Sequence, residues 1–253
     1  MNHPYSLTGN ALVTGAANGI GRASAAAMAA AGADLMLLDR ESEPLWQLAD
    51  ELRTQGRRVS AHVVDCTDGE ALAEAVRAAT GALGPVDLLF NNVGQSARDK
   101  AGPFVDSTED TWRFVLEVSL LTTMRMCRLL APGMVARGRG RIVNMSTESA
   151  FYGDTGLADY AAAKMGVIGF TRSLARELAP CGITVNAVAP GAIRTRAHDR
   201  LPREVIDRIR ETVPLGYVAE PADVANVVVF LGAPASRYIT GQTMLIDGGR
   251  WMI

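Results

Sequence analysis

Tyr160 and Lys164 stand four residues apart in Tyr160-Ala161-Ala162-Ala163-Lys164. On a helix this spacing puts both side chains on one face, with Cβ atoms about 6 Å apart. A free tyrosine loses its proton at about pH 10, too high for an efficient base at neutral pH. A nearby ammonium favours the phenolate and lowers that value, so the pair can take a proton from a hydroxyl or return it. Taken alone, the spacing also fits an ordinary helix-surface pair. Its weight depends on what else the chain provides.

A second pattern is Thr14-Gly15-Ala16-Ala17-Asn18-Gly19-Ile20-Gly21, which follows a strand-like run and leads into a helical one. Without side chains at Gly15, Gly19 and Gly21, the backbone can turn tightly, approach a pyrophosphate and pack helix on strand. The helix start then offers free N–H groups and a positive dipole end to phosphate. The next strand ends in Leu37-Leu38-Asp39-Arg40. A carboxylate at Asp39 accepts from both ribose hydroxyls of NAD and repels the 2′-phosphate of NADP. Arg40 partly offsets this, because a guanidinium can pair with phosphate. The glycine turn carries Asn18 where a second basic residue would help NADP, so NAD is the expected cofactor and NADP the lesser one.

These residues need a scaffold, and the chain spells one out. Strand-like runs are Ala11–Thr14, Asp34–Leu38, Arg58–Val64, Val86–Phe90, Arg141–Met145, Ile183–Val188 and Thr243–Ile246. Helical spacing covers Gly19–Ala31, Pro44–Gln55, Asp68–Thr80, Thr108–Val135, Leu157–Ala179 and Pro221–Leu231. Runs that are apolar throughout, rather than alternating, imply burial on both faces of a parallel sheet. The expectation is an α/β fold: a single-domain, Rossmann-type, doubly wound parallel sheet of about seven strands flanked by helices. An insertion from Pro190 to Val218, rich in Arg and with its own helix near Pro202–Arg210, follows a strand end and is a candidate lid.

Composition narrows the function classes. The chain has 253 residues, about half of them apolar, and a net charge of −2, which gives no reason to expect a nucleic-acid or membrane partner. No signal peptide or membrane span is expected. Cys66, Cys127 and Cys181 form no ligand pattern and suit a reducing cytoplasm. With only three scattered histidines, no metal site is expected.

Taken together, the chain resembles a short-chain dehydrogenase/reductase of the compact single-domain branch, from Leu12 to Gly249. The resemblance rests on Thr14–Gly21, Asp65 after the third strand, Asn91-Asn92-Val93-Gly94 after the fourth, Tyr160 to Lys164, and Pro190-Gly191 followed by Thr195. It implies that Asp65 and Cys66 border the adenine, Asn92 and Gly94 the adenine ribose, and Ile193 and Thr195 the nicotinamide carboxamide. It implies that Lys164 binds the nicotinamide ribose while Tyr160 exchanges a proton with a secondary alcohol or ketone. It also implies a homotetramer.

Two positions depart from the family pattern. Where the family has a catalytic serine, thirteen residues before the tyrosine, this chain has Thr147. Ser146 is one residue out of register, which on a strand turns it to the other face. Where the family has an asparagine in the long fourth helix, beside a water at the lysine, this chain has Ser119. An alternative reading is therefore a cofactor-binding but catalytically weak scaffold or regulator of an active partner. A lyase of the dehalogenase type would lack the glycine turn. For the substrate, Arg98, Lys100, Arg194, Arg196, Arg200 and Arg203 are placed to draw in an anion such as a carboxylate or an acyl thioester of coenzyme A.

Overall fold

The computed structural model describes residues 4–196 and 203–252. Its centre is a seven-stranded sheet, all parallel, in the order β3-β2-β1-β4-β5-β6-β7. The strands are β1 (Asn10–Thr14), β2 (Asp34–Asp39), β3 (Val59–Val63), β4 (Val86–Asn91), β5 (Gly140–Met145), β6 (Ile183–Pro190) and β7 (Thr243–Ile246). Every residue of β1 and β6 is buried, polar Asn10, Thr14, Thr184 and Asn186 included, as expected of largely apolar strands covered on both faces. The strand order reverses direction between β1 and β4, and such a switch point opens a crevice at the carboxyl ends of the strands.

The helices are α1 (Gly19–Ala30), α2 (Ser42–Thr54), α3 (Gly69–Leu83), α4 (Glu109–Leu116), α5 (Thr122–Arg137), α6 (Ser149–Tyr152), α7 (Ala158–Leu178), α8 (Arg203–Glu211) and α9 (Pro221–Gly232). One core joins α1, α2 and α9 to one face of the sheet through Met28, Leu45, Leu48 and Val228. The other joins α3, α5 and α7 to the opposite face through Leu72, Met126, Met134 and Ala175. No helix among the described residues is long and apolar enough to cross a membrane.

The expected helix Thr108–Val135 is not continuous. A π-helical turn over Glu117–Leu121 separates α4 from α5. At this turn Thr122 Oγ1 donates to the Glu117 carbonyl five residues back, and Ser119 is fully buried. A widened turn of this kind changes which side chains face inward, and π turns are frequent at functional sites.

Candidate active site

The glycine turn is built as tightly as its composition allows. Gly15 and Gly19 have φ of 65° and 52°, a region that favours glycine. A Cβ on Gly21 would lie 1.9 Å from the Gly15 carbonyl oxygen. Asn92 braces the turn from β4, its Nδ2 donating to the Thr14 and Gly15 carbonyls at 3.1 and 3.0 Å. Asp39 braces it from β2: Oδ2 accepts from Ala17 N and Oδ1 from Glu41 N, each at 2.9 Å. Asn18 precedes α1 without capping it, whereas Asp68 caps α3 by accepting from Glu70 N and Ala71 N. The first N–H groups of α1 thus keep their capacity for an anion. Asp65 lies at the end of β3, its carboxylate accepting from Thr67 N and Oγ1, which with nearby Arg40 holds it below the usual aspartate value. These residues fit a pyridine dinucleotide.

Gly21→Ala is a sharp test of this packing. Overfilling a tight contact costs about 1–3 kcal/mol, and here the partner is backbone that cannot rotate away. The variant is expected to melt several degrees lower and to bind NADH more weakly, as thermal denaturation and a fluorescence titration would show.

The candidate acid–base residues Tyr160 and Lys164 lie at the carboxyl ends of β4 and β5. Lys164 is 1% exposed, and its Nζ donates to the Met145 carbonyl at 2.8 Å. The ammonium lies 5.8 Å from the centroid of the Tyr160 ring. Burial lowers the Lys164 pKa to about 8. Gly94 makes room for it, since a Cβ there would stand 2.6 Å from Nζ. Ser146 and Thr147 part company, as the strand register requires. Ser146 Oγ is buried and donates to the Lys164 carbonyl at 3.0 Å, a structural bond that fixes α7 on β5. Thr147 Oγ1 stays near the surface of the cleft, 3.3 Å from Ser149 Oγ. Ser119 Oγ donates to the Gln95 carbonyl and accepts from Gln95 N, both at 3.1 Å, so its one proton is already committed to the loop after β4.

A family model described as enoyl-(acyl carrier protein) reductase matches residues 15–250. The 3-oxoacyl-[acyl-carrier-protein] reductase FabG of Thermotoga maritima is 38% identical over 238 residues, spanning 94% of this chain and 96% of that protein. The chain belongs to the short-chain dehydrogenase/reductase family. Its members are NAD(P)-dependent oxidoreductases acting on CH–OH groups. The likeness extends to solved structures. A 3-oxoacyl-[acyl-carrier protein] reductase from Brucella melitensis with bound NAD superimposes with a TM-score of 0.90 at 36% identity, over 100% of this chain and 94% of that one. A protein from Beutenbergia cavernae, named as an NAD(P)-dependent gluconate 5-dehydrogenase and solved with NADP at low occupancy, gives 0.91 at 38% identity, over 98% and 99%.

In this short-chain dehydrogenase/reductase residues 191–196, which follow β6, run from beside Ala219 to the glycine turn. Ile193 bridges to Ala219, and the Thr195 methyl lies 3.4 Å from where a Gly19 Cβ would be. Arg194 pairs with Glu220, and Arg196 pairs with Glu41 across the cleft, each at 3.2 Å. Two arginines expected to attract an anion thus already face carboxylates, while Arg200 lies outside the described residues. Cys66 is a buried core thiol, pushed up to about 12 by burial and by nearby Asp39 and Asp65, and so is no nucleophile. Sequence reasoning missed Glu148 and Arg250 altogether; no local pattern marks either. A cavity of about 360 Å³ opens at the opposite end of the sheet, beside Asn10, Asp87 and Arg141. It lies at the amino ends of the strands, far from the acid–base pair.

Proposed function

We propose that this protein is an NAD(H)-dependent dehydrogenase/ketoreductase that interconverts a secondary alcohol and a ketone, with Tyr160 as general acid and base. The observation that carries the reading is the buried Lys164 ammonium, held by the Met145 carbonyl beside the Tyr160 ring. When bound, the nicotinamide accepts or supplies the hydride. Tyr160 exchanges the substrate hydroxyl proton, and Lys164 favours its phenolate and binds the nicotinamide ribose. Thr147 donates to the substrate oxygen, and Ser119 holds the Gln95 loop against the π turn. Gly15, Asn18, Gly19, Ile20 and Gly21 receive the pyrophosphate. Asp39 and Arg40 meet the adenine ribose; Asp65, Cys66, Asn92 and Gly94 frame the adenine side; Pro190, Ile193 and Thr195 frame the nicotinamide.

The region 190–218 acts as the lid of a single cofactor-binding and catalytic domain. The names of the relatives favour a hydroxyacyl thioester or another carboxyl-derived substrate, and the free thiols of Cys66, Cys127 and Cys181 favour the cytoplasm. Exposed apolar residues on α4, α5 and α7 (Phe114, Met124 and Met165), together with Trp251 and Met252 after β7, favour a homotetramer. A cofactor-binding scaffold is the second reading, favoured by the commitment of the Ser119 proton to Gln95. The deciding experiment is a screen of secondary alcohols and 3-hydroxyacyl-coenzyme A thioesters with NAD, followed by absorbance of the reduced cofactor. Turnover supports the enzyme, and binding of NADH without turnover of any substrate supports the scaffold.

Cofactor choice has its own test. Asp39, which this reading assigns to the adenine ribose, is held at the end of β2 by two backbone N–H groups. One lost charge-assisted contact is worth about 1.4 kcal/mol or more, so NAD is expected to be favoured by at least about tenfold. Asp39→Ala is expected to narrow that ratio by relieving repulsion of the 2′-phosphate. Wild-type kcat/KM that is higher with NADP would contradict the assignment.

A further inference from the structure

Glu148 follows Thr147 directly, yet its charged side chain is only 4% exposed. Oε1 accepts from Arg250 Nη1 at 2.6 Å, while Oε2 is buried with no hydrogen-bond partner among the described residues. Arg250 comes from the segment after β7, 102 residues away in sequence. The same Nη1 donates to Tyr152 Oη at 3.2 Å, and the guanidinium lies 5.3 Å from the Tyr152 ring centroid. Trp251 also packs against Tyr152, their ring centroids 5.9 Å apart and tilted by 47°. Gly191 leaves the passage open: a Cβ there would stand 2.7 Å from Glu148 Oε2.

The backbone around this pair is stitched in sequence across three strand ends. Ser146 N donates to the Val188 carbonyl at 2.8 Å, Glu148 N to Pro190 at 3.0 Å, and Gly191 N to Ile246 at 3.0 Å. Thr147 sits between the first two of these bonds, and its Oγ1 lies 3.5 Å from the Pro190 carbonyl and accepts from Ser149 N at 3.4 Å, so the residues that flank Glu148 also hold the Thr147 hydroxyl. We propose that the Glu148–Arg250 pair is a positioning device, which fixes the Thr147 hydroxyl towards the reacting oxygen and holds Tyr152 as a wall of the substrate pocket. This rests on the reading of Thr147 as the donor to the substrate.

The pair is a poor way to gain stability. A buried carboxylate with one oxygen unpartnered loses much of its hydration, and its attraction to one arginine rarely repays that in full. The Glu148 carboxyl is accordingly raised above the ordinary glutamate value. Burial is the largest cause and the Arg250 bond opposes it, while Asp247 after β7 and Asp154 after α6 add repulsion. Tyr152 of α6 is a further titratable neighbour, and burial together with Asp154 and Glu148 pushes it up to about 12. A carboxyl whose folded pKa is raised contributes stability below its unfolded value and loses it as pH rises through the folded one. Removing the charge at neutral pH is therefore expected to leave the fold as stable or more so. An arrangement neutral or costly to stability points to a role in geometry.

The test compares Glu148→Gln, Arg250→Met and Arg250→Lys with wild type, using NAD and the best substrate of the thioester and alcohol panel. Glu148→Gln keeps the shape but replaces an ion pair by a weaker hydrogen bond in which only Arg250 is charged. It is expected to lower kcat about tenfold with unchanged NADH affinity and an unchanged or higher melting temperature, a tenfold rate being about 1.4 kcal/mol. Arg250→Met should match the rate loss but melt lower, because it strands the buried carboxylate; Arg250→Lys should retain part of the rate, and the double variant Glu148→Gln/Arg250→Met should be no slower than either single one. Wild type should also lose kcat on the acid side as Glu148 takes up a proton and lets go of Arg250, a limb that Glu148→Gln should lack. Wild-type kcat in Glu148→Gln overturns the proposal, as does a rate loss that tracks a falling melting temperature in both single variants. Thr147→Val run alongside separates the two ideas. If that substitution costs nothing, the reading of Thr147 has failed; if it costs rate while Glu148→Gln does not, only the positioning proposal has failed.

Discussion

Tyr160→Phe is expected to lose alcohol oxidation almost entirely while binding NADH as wild type does. The substitution deletes one oxygen and keeps the ring that packs beside Ala97, Val115 and Ala163. General acid–base catalysis is worth roughly a hundredfold to ten-thousandfold in rate, and no other described side chain at this end of the sheet is set up to replace it. Lys164 gives the accompanying pH signature. Its ammonium is lowered to about 8 by burial, so the charge that favours a Tyr160 phenolate is fully present only below that value. Oxidation needs the phenolate, so kcat/KM for oxidation is expected to rise with pH, and to do so at lower pH than the chemistry of a free tyrosine would give. Lys164→Met should move the limb to higher pH and weaken NADH binding. It should also raise the melting temperature at pH 7, because a buried cation with one described hydrogen bond is removed. A pH–rate profile of the three proteins, with cofactor titrations, checks all of this. A Tyr160→Phe variant that keeps most of the wild-type rate would end the mechanism.

Thr147→Val is expected to cost roughly a hundredfold in kcat/KM, the usual effect of deleting a donor aimed at developing charge. Valine preserves the β-branched shape, so packing against Ser149 and Pro190 changes little. Ser146→Ala should behave quite differently. That hydroxyl is buried and donates to the Lys164 carbonyl, and losing one such bond costs about 1 kcal/mol of stability with little direct effect on rate. The pair of variants therefore separates a group facing the substrate from a group facing the core. Steady-state kinetics with the opposite ranking would identify Ser146 as the reacting hydroxyl and show that the assignment to Thr147 is wrong.

The amino-acid sequence by itself determined the parallel α/β sheet, the glycine turn after β1 and the acid after β2. Each of these is local: unbroken apolar runs require burial on both faces, and a turn against phosphate requires glycine. It also placed Tyr160 and Lys164 on one helix face, because that depends on helical periodicity alone. Ser146 and Thr147 were separable for the same reason, since strand register alternates faces. What the tertiary structure decided is everything that depends on distant segments meeting. Periodicity cannot show one widened turn, so the break at Glu117–Leu121, and with it the burial of Ser119 against Gln95, was not legible. Nor could the charge of Arg194 and Arg196 say that Glu220 and Glu41 already face them. Glu148 and Arg250 are the clearest instance. Each reads as a surface residue, because burying a carboxylate is costly in the absence of a partner, and the partner arrives only when β5, β6 and β7 lie side by side.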